Sequence, residues 1–113
     1  MEPGIKIWLE KEGKNILGGG RYRLLKAIDE EGSLKKAAER LRYSYRYAWG
    51  NIRKMEDHLG RKLIISHKGG SGGGDSILTP EGRLLLEKYE ALRRDVYDYM
   101  RQAFERIFTD DRL

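Results

Sequence analysis

The 113-residue chain contains no cysteine and only two prolines. Without cysteine it has neither a disulfide framework nor a thiolate metal site. No stretch comes near the ~18 consecutive apolar residues that cross a membrane, and the first residues lack the basic-then-apolar order of a signal peptide. We therefore expect a cytoplasmic protein with no membrane partner.

Residue groupings that carry catalysis or bind metals are also missing. The two histidines, His58 and His67, stand alone, with no metal-ligand spacing around them. The glycine-rich run at residues 68–75 lacks the GxxxxGK[ST] order of a phosphate-binding loop. No nucleophile–base pair stands out. We predict that the protein is not an enzyme and has no catalytic residue, cofactor or metal site.

The positive charge is concentrated in one part of the chain. The formal net charge is +5, yet residues 33–74 hold ten Lys/Arg against three Asp/Glu, while residues 1–32 hold six of each. Clustered cations bind polyanions because they neutralise phosphates and release counterions. A nucleic acid is the natural partner. An ordinary solvated basic surface is the alternative, and charge alone leaves both open.

Residues 33–60 have the pattern of two short helices joined by a tight turn. Ser33 and Ser44 are suited to cap the two helices, and Gly60 supplies a left-handed stop. Apolar residues recur at helical spacing in both segments: Leu34, Ala37, Ala38 and Leu41 in the first, and Ala48, Ile52, Met55 and Leu59 in the second. This pattern, with a basic outer face, predicts a helix-turn-helix that places its second helix in a DNA major groove.

Two further elements are predicted before this motif. The alternation of apolar and polar residues at Ile5–Leu9 predicts a strand, followed by a turn at residues 12–15. Residues 21–31 predict a helix that ends at Gly32. The helix at residues 21–31 is therefore the third helix that is needed to bury the core of a helix-turn-helix.

A hairpin is predicted after the motif. Residues 62–67 and 76–78 read as strands on either side of the glycine-rich run, with Leu63 and Ile65 on one face. A hairpin in this place is a wing, which reaches a neighbouring groove or the phosphate backbone. The expected fold is mainly α with a small β wing, a winged helix-turn-helix.

A long helix is predicted to begin after the capping residue Thr79 and to continue to about Phe108. Six residues along it form a heptad seam: Leu85, Tyr89, Leu92, Val96, Tyr99 and Ala103. A helix of this length overshoots so small a domain, so the seam predicts a homodimer, the alternative being that the helix merely packs on its own domain. We divide the chain into a DNA-binding part, 1–79, and a dimerisation helix, 80–113, within a single structural unit.

A helical wheel of the second motif helix, turned by about 100° per residue from Ile52, separates its outward face from its core face. Tyr45 and Trp49 fall near the core face, which predicts scaffold or dimer contacts. Gly50 lies on the outward face, where the lack of a side chain either lets the helix approach DNA closely or is simply tolerated at the surface. The predicted DNA-binding residues are Lys35, Lys36, Arg42, Ser44, Arg46, Tyr47, Gly50, Arg53, Lys54 and Lys68. Arg40 is predicted as a further cation that contacts the phosphate backbone of DNA.

Different chemistry is expected of these DNA-binding residues. Arg46 suits a bidentate bond to a guanine edge, and Tyr47 suits a phosphate or a thymine methyl. Arg53 and Lys54 suit phosphates. The N-terminal turns of the helix therefore supply the base readers, and the later turns supply backbone contacts.

Several short motifs resemble one known family. Ser44-Tyr45, Ala48-Trp49, the GGSGGG loop and the Leu78-Thr79…Gly82 turn are similar to the N-terminal DNA-binding domain of ModE, the molybdate-dependent transcriptional regulators. That domain is in turn similar to the winged helix of LysR-type regulators. The resemblance implies a winged-helix dimer with residues 44–54 in the major groove, the wing beside it and long helices joining the protomers.

The resemblance also shows one departure, because ModE proteins carry C-terminal domains that bind the oxyanion and this chain stops at Leu113. We expect no oxyanion-sensing domain in the chain. A separate effector-binding protein, regulation without a ligand and a truncated chain are the three explanations. The expected function is a sequence-specific, nucleoid-associated transcriptional regulator. A nonspecific architectural DNA-binding protein and a protein–protein adaptor are the alternatives.

Overall fold

The computed structural model describes residues 1–67, 74–110 and 112–113. Its elements in chain order are β1 (Leu9–Lys11), β2 (Lys14–Leu17), α1 (Gly19–Glu31), α2 (Leu34–Leu41), α3 (Tyr45–Leu59), β3 (Ile64–His67), β4 (Asp75–Leu78) and α4 (Pro80–Ile107). Strands β1 and β2 form one antiparallel hairpin, and β3 and β4 form another. The predicted fold class, mainly α with a small β wing and a long last helix, is confirmed.

The N-terminal hairpin corrects the strand predicted at Ile5–Leu9. The strand begins only at Leu9, and the reversal uses Glu12 and Gly13 alone, both with positive φ (53° and 77°). Two such residues make the tight turn that matches the twist of a hairpin. Residues 14–15, predicted as part of the turn, therefore belong to β2.

The segment before β1 is held by α4 instead of by a strand partner. The hydroxyl of Tyr89 donates to the Ile7 carbonyl over 2.7 Å, and that of Tyr97 donates to the Ile5 carbonyl over 3.1 Å. These bonds take the place of ladder bonds for the backbone, so the apolar alternation here reflects packing on a helix.

Helices α1, α2 and α3 form the core in the predicted way. Ser33 caps α2 by accepting a bond from the Lys36 amide (3.2 Å), and Ser44 caps α3 by accepting one from the Tyr47 amide (3.1 Å). The fully buried side chains at their centre are Leu24, Leu25, Ala27, Ile28, Leu34, Ala37, Ala38, Ala48, Ile52 and Met55. The helix-turn-helix is therefore supported on its inner side by α1.

The first strand of the wing does not have the face predicted for it. Leu63 and Ile64 are both buried, whereas Ile65 is 44% exposed. Leu63 lies before β3, and its amide donates to the buried carboxylate of Glu56 on α3 over 2.8 Å. Because Leu63 is fixed by this bond and not by the strand ladder, it does not share a strand face with Ile65, and within β3 only Ile64 is buried.

Helix α4 has 28 residues and extends beyond the rest of the molecule. The radius of gyration is 17.3 Å, against about 13 Å for a compact domain of this length. Its first half packs on the domain. There the Tyr22 hydroxyl donates to Glu90 over 2.7 Å, and Lys26 pairs with the same carboxylate over 3.2 Å. The hydrogen bond from Tyr22 lowers the pKa of Glu90.

The predicted heptad seam changes character along α4. Tyr89 is only 2% exposed and packs against Tyr22 inside its own protomer, so it has no surface left for a dimer contact and is removed from the predicted interface. Leu85 lies against the core. Farther out, Leu92 is 41% and Tyr99 69% exposed, with Val96 and Ala103 half-buried. The outer half of the seam thus presents apolar side chains to solvent.

No helix in the described part of the chain is long and apolar enough to span a bilayer.

Candidate nucleic-acid interface

The turn of the helix-turn-helix directs a cation outward. Helix α2 ends at Leu41, and Arg42 follows in the left-handed region at φ 61°, where its amide satisfies the Ala38 and Glu39 carbonyls. A side chain other than glycine at this φ is uncommon. Arg42 is exposed, so the turn contributes a charge two residues before the capping Ser44.

Six predicted DNA-binding cations are exposed and carry no ion pair. They are Lys35, Lys36, Arg42, Arg46, Arg53 and Lys54. Among the described residues, no carboxylate lies within 4.0 Å of any of them, whereas the ion pairs that do form use Lys26, Arg40, Lys62, Arg83, Arg101 and Arg112. The positive charge of α2 and α3 is therefore uncompensated within the described chain.

Arg40 does not belong to this set, against the prediction. Its guanidinium pairs with Glu30 over 2.7 Å and Glu31 over 3.2 Å at the end of α1. The hydrogen bonds to these carboxylates, that to Glu30 first, raise the pKa of Arg40. Its charge ties α2 to α1 and is not free for a phosphate.

Tyr45 is the second correction. Predicted near the core face, it is 55% exposed. At the first turn of α3 the neighbouring element is the wing, which stands off across a cleft of about 320 Å³. Tyr45 and Trp49 line this cleft from one side, and Ser66, His67 and Asp75 line it from the other. A helical wheel places Tyr45 toward the core only if the core extends to the first turn of α3. At that turn the core is replaced by the cleft.

The outward side of α3 has a support that the sequence did not reveal. Arg21 on α1 donates to the Asn15 and Ile16 carbonyls (2.7 and 3.1 Å) and to the side-chain oxygen of Asn51 (3.0 Å). Asn51 in turn donates to the Tyr47 carbonyl over 3.0 Å. Burial lowers the pKa of Arg21, with Tyr47 acting in the opposite direction.

This connection fixes the turn of α3 that carries Tyr47 to α1 and to the N-terminal hairpin. Tyr47 itself is exposed and meets Tyr43 edge-on at a ring distance of 5.0 Å. The spacing of Tyr47 and Asn51 by four is the one sequence signal of the connection. Nothing in the sequence marks Arg21, which is separated from Asn51 by 30 residues.

Gly50 and the remaining predicted residues complete the face. A methyl group added at Gly50 would meet no atom within 4 Å, so no internal contact requires glycine there. Lys54 is exposed, and Arg53 lies over the Trp49 ring at 5.5 Å from guanidinium carbon to ring centre. Lys68 lies outside the described residues. DNA contact by each of these side chains remains a prediction.

Comparison with known proteins gives the same assignment as the geometry. The model of a family described as bacterial regulatory helix-turn-helix protein, lysR family, matches residues 20–83. The chain is 35% identical over 105 residues to the molybdenum-pterin-binding protein MopB of Rhodobacter capsulatus, covering 93% of this chain and 38% of that protein. It is 31% identical over 113 residues to the DNA-binding transcriptional dual regulator ModE of Escherichia coli K12, covering 100% of this chain and 42% of that protein. The chain thus spans about two fifths of the length of these curated relatives.

A solved complex shows the same fold on DNA. The DNA-binding domain of BenM, crystallised with benA site 1 DNA, matches with a TM-score of 0.57 and 27% sequence identity, over 81% of this chain and 97% of that one. The resemblance to ModE and to the LysR-type winged helix is confirmed. The matched segment runs from α1 through the wing to the first turn of α4, and it contains all the uncompensated cations described above. The chain belongs to the bacterial regulatory helix-turn-helix proteins of the lysR family.

Proposed function

We propose that this chain binds double-stranded DNA with sequence preference and regulates transcription, with the N-terminal half of α3 in the major groove and the wing beside it. The observation that carries the proposal is the set of six exposed cations on α2, the turn and α3, none of them ion-paired within the described residues. The lysR-family match and the likeness to a DNA-bound domain support it. Chromosomal DNA as the ligand places the protein in the cytoplasm with the nucleoid.

Base reading is assigned to the first turns of α3. Arg46 and Tyr47 are exposed there, and helices of this kind contact base edges through their N-terminal residues. Selection of bound duplexes from a random pool, followed by gel shifts on the enriched and scrambled sequences, tests the proposal. Enrichment of a defined motif supports a regulator. Equal affinity for enriched and scrambled duplexes at every salt concentration would show a nonspecific architectural protein instead.

We further propose a homodimer formed through the outer half of α4. Leu92, Val96, Tyr99 and Ala103 leave an apolar strip uncovered, which a second copy of the helix would bury. A two-fold dimer presents two α3 helices, so the bound site should be an inverted repeat with half-sites about 34 Å apart or a multiple of that distance.

Sedimentation equilibrium on two charge-matched variants tests the dimer. Tyr99→Glu places a charge in the strip and should shift the protein toward monomer. Arg94→Gln makes the same change in net charge at an exposed position about 140° around the helix, and should leave the dimer intact. A wild-type chain that sediments as a monomer at all concentrations would contradict the proposal.

A further inference from the structure

A tryptophan and an arginine one helical turn apart on α3 form a cation–aromatic pair. The guanidinium carbon of Arg53 lies 5.5 Å from the centre of the Trp49 ring. This is within the ~6 Å at which a cation is attracted to an aromatic face. Residues four apart lie on the same side of a helix, so the contact is a local property of α3.

A cation–aromatic contact restricts a guanidinium through its charge and leaves its hydrogen-bond donors without an acid partner. The five N–H groups of arginine lie in the plane of the group and point away from its edge. No described carboxylate lies within 4.0 Å of Arg53, so that edge is not committed to an acid. The side chain is thus restricted in its rotamers yet keeps its capacity to bind an oxyanion.

The position of the pair indicates which oxyanion it meets. Tyr45, Trp49 and Arg53 follow one another at spacing four, and the first two line the cleft between α3 and the wing. Each step of four residues turns by about 40° around the helix, so Arg53 lies beside this cleft and borders a second pocket with Glu56 and Asp57. With α3 in a major groove, the nearest anions on that side are phosphates of the strand that borders the groove.

We infer that Trp49 is a positioning residue for DNA binding: its ring holds Arg53 in the orientation that contacts a backbone phosphate, so that less conformational freedom is lost when DNA binds. This inference rests on the proposed function. It assigns Trp49, which the sequence pattern placed with the scaffold, a role that acts through Arg53 and not through contact with a base.

A double-mutant cycle on DNA affinity tests the inference. The proteins are the wild type, Trp49→Leu, Arg53→Ala and the double variant, measured on the same duplex over a range of salt concentrations. Trp49→Leu should weaken binding by about two- to fivefold, the worth of an exposed cation–aromatic contact. In the Arg53→Ala background the same change should have almost no effect. Trp49→Phe keeps an aromatic face and should restore most of the affinity.

Lys54 provides the matched control. It is an exposed cation on the next residue and has no stacking contact with Trp49, so Trp49→Leu and Lys54→Ala should act independently. A Trp49→Leu effect of equal size with and without Arg53 would overturn the inference, as would no effect in the wild type. Circular dichroism melts detect loss of fold in any variant. Failure of the wild type to bind any duplex would instead refute the proposed function.

Discussion

The crossing of α4 and the wing strand depends on one glycine. A methyl group on Gly82 would overlap the Leu63 carbonyl oxygen and lie 3.1 Å from the carbonyl carbon and 3.3 Å from the Cα atom. All of these are backbone atoms, so no side chain can rotate away. The same carbonyl accepts a 2.9 Å bond from the Thr79 amide, and Thr79 caps α4 by accepting a bond from the Gly82 amide. Gly82→Ala must therefore push apart the backbone of α4 and the backbone of Leu63, the residue before β3.

Two effects of Gly82→Ala on stability oppose each other, and their magnitudes decide whether the free energy of unfolding rises or falls. Replacing glycine by alanine within a helix gains up to ~1 kcal/mol in propensity. Overpacking costs about 1–3 kcal/mol, and weakening the displaced hydrogen bond costs about 1 kcal/mol more. We expect a net loss of about 1–3 kcal/mol in the free energy of unfolding, which lowers the melting temperature by about 5–15 °C.

The same substitution at Gly50 is the matched control, because nothing lies within 4 Å of an added methyl there. Propensity then acts alone, and Gly50→Ala should raise stability by ~1 kcal/mol. Urea and thermal denaturation at equal protein concentration measure both variants, since the proposed dimer would make the melting temperature concentration-dependent. If Gly82→Ala is as stable as the wild type, the close crossing is not real. DNA affinity of Gly50→Ala separates a gap needed for close approach, where affinity falls, from a tolerated surface glycine.

Two further outcomes are expected. Arg46→Ala should reduce the binding free energy for the preferred duplex by about 1–3 kcal/mol and relax the base preference. Lys54→Ala should instead weaken binding to all duplexes alike and reduce the slope of log affinity against log salt by about 0.9. If the two variants behave identically in competition gel shifts, this division of roles is wrong. Because the hydrogen bond from Tyr22 lowers the pKa of Glu90 below its ordinary value of 4.5, its stabilising contribution is fully present above that pH and is lost as the pH falls through the lowered pKa, so Glu90→Gln should flatten the dependence of stability on pH between about pH 5 and pH 3.

The elements with local signals were predictable from the sequence. Ser33, Ser44 and Thr79 each cap the helix that they were expected to begin, and Gly32 and Gly60 end theirs with positive φ. A capping hydroxyl, a left-handed glycine and apolar spacing act within about one turn of the chain, so the sequence contains the whole cause. The length of α4 follows for the same reason, since no breaker interrupts it.

The errors have a different origin, because they concern what lies opposite a side chain. Tyr45 and Tyr89 were both assigned by helical periodicity, yet Tyr45 faces a cleft and Tyr89 lies in the core. Periodicity gives the direction of a side chain around its own helix. It does not say whether another element lies in that direction at that turn, which depends on contacts such as that of Tyr89 with Ile7, 82 residues away.

Positioning residues are the class that sequence patterns detect least. Arg21 acts on α3 through Asn51, 30 residues away, and its hydrogen bonds to the Asn15 and Ile16 carbonyls exist only because the N-terminal hairpin lies beside α1. Neither the residue type nor its spacing distinguishes it from Arg23, the exposed arginine of the same helix. The exposed cations of α2, the turn and α3 were predictable because exposure and charge are nearly local properties. The residues that hold them in place were not, because their role is defined by the tertiary structure alone.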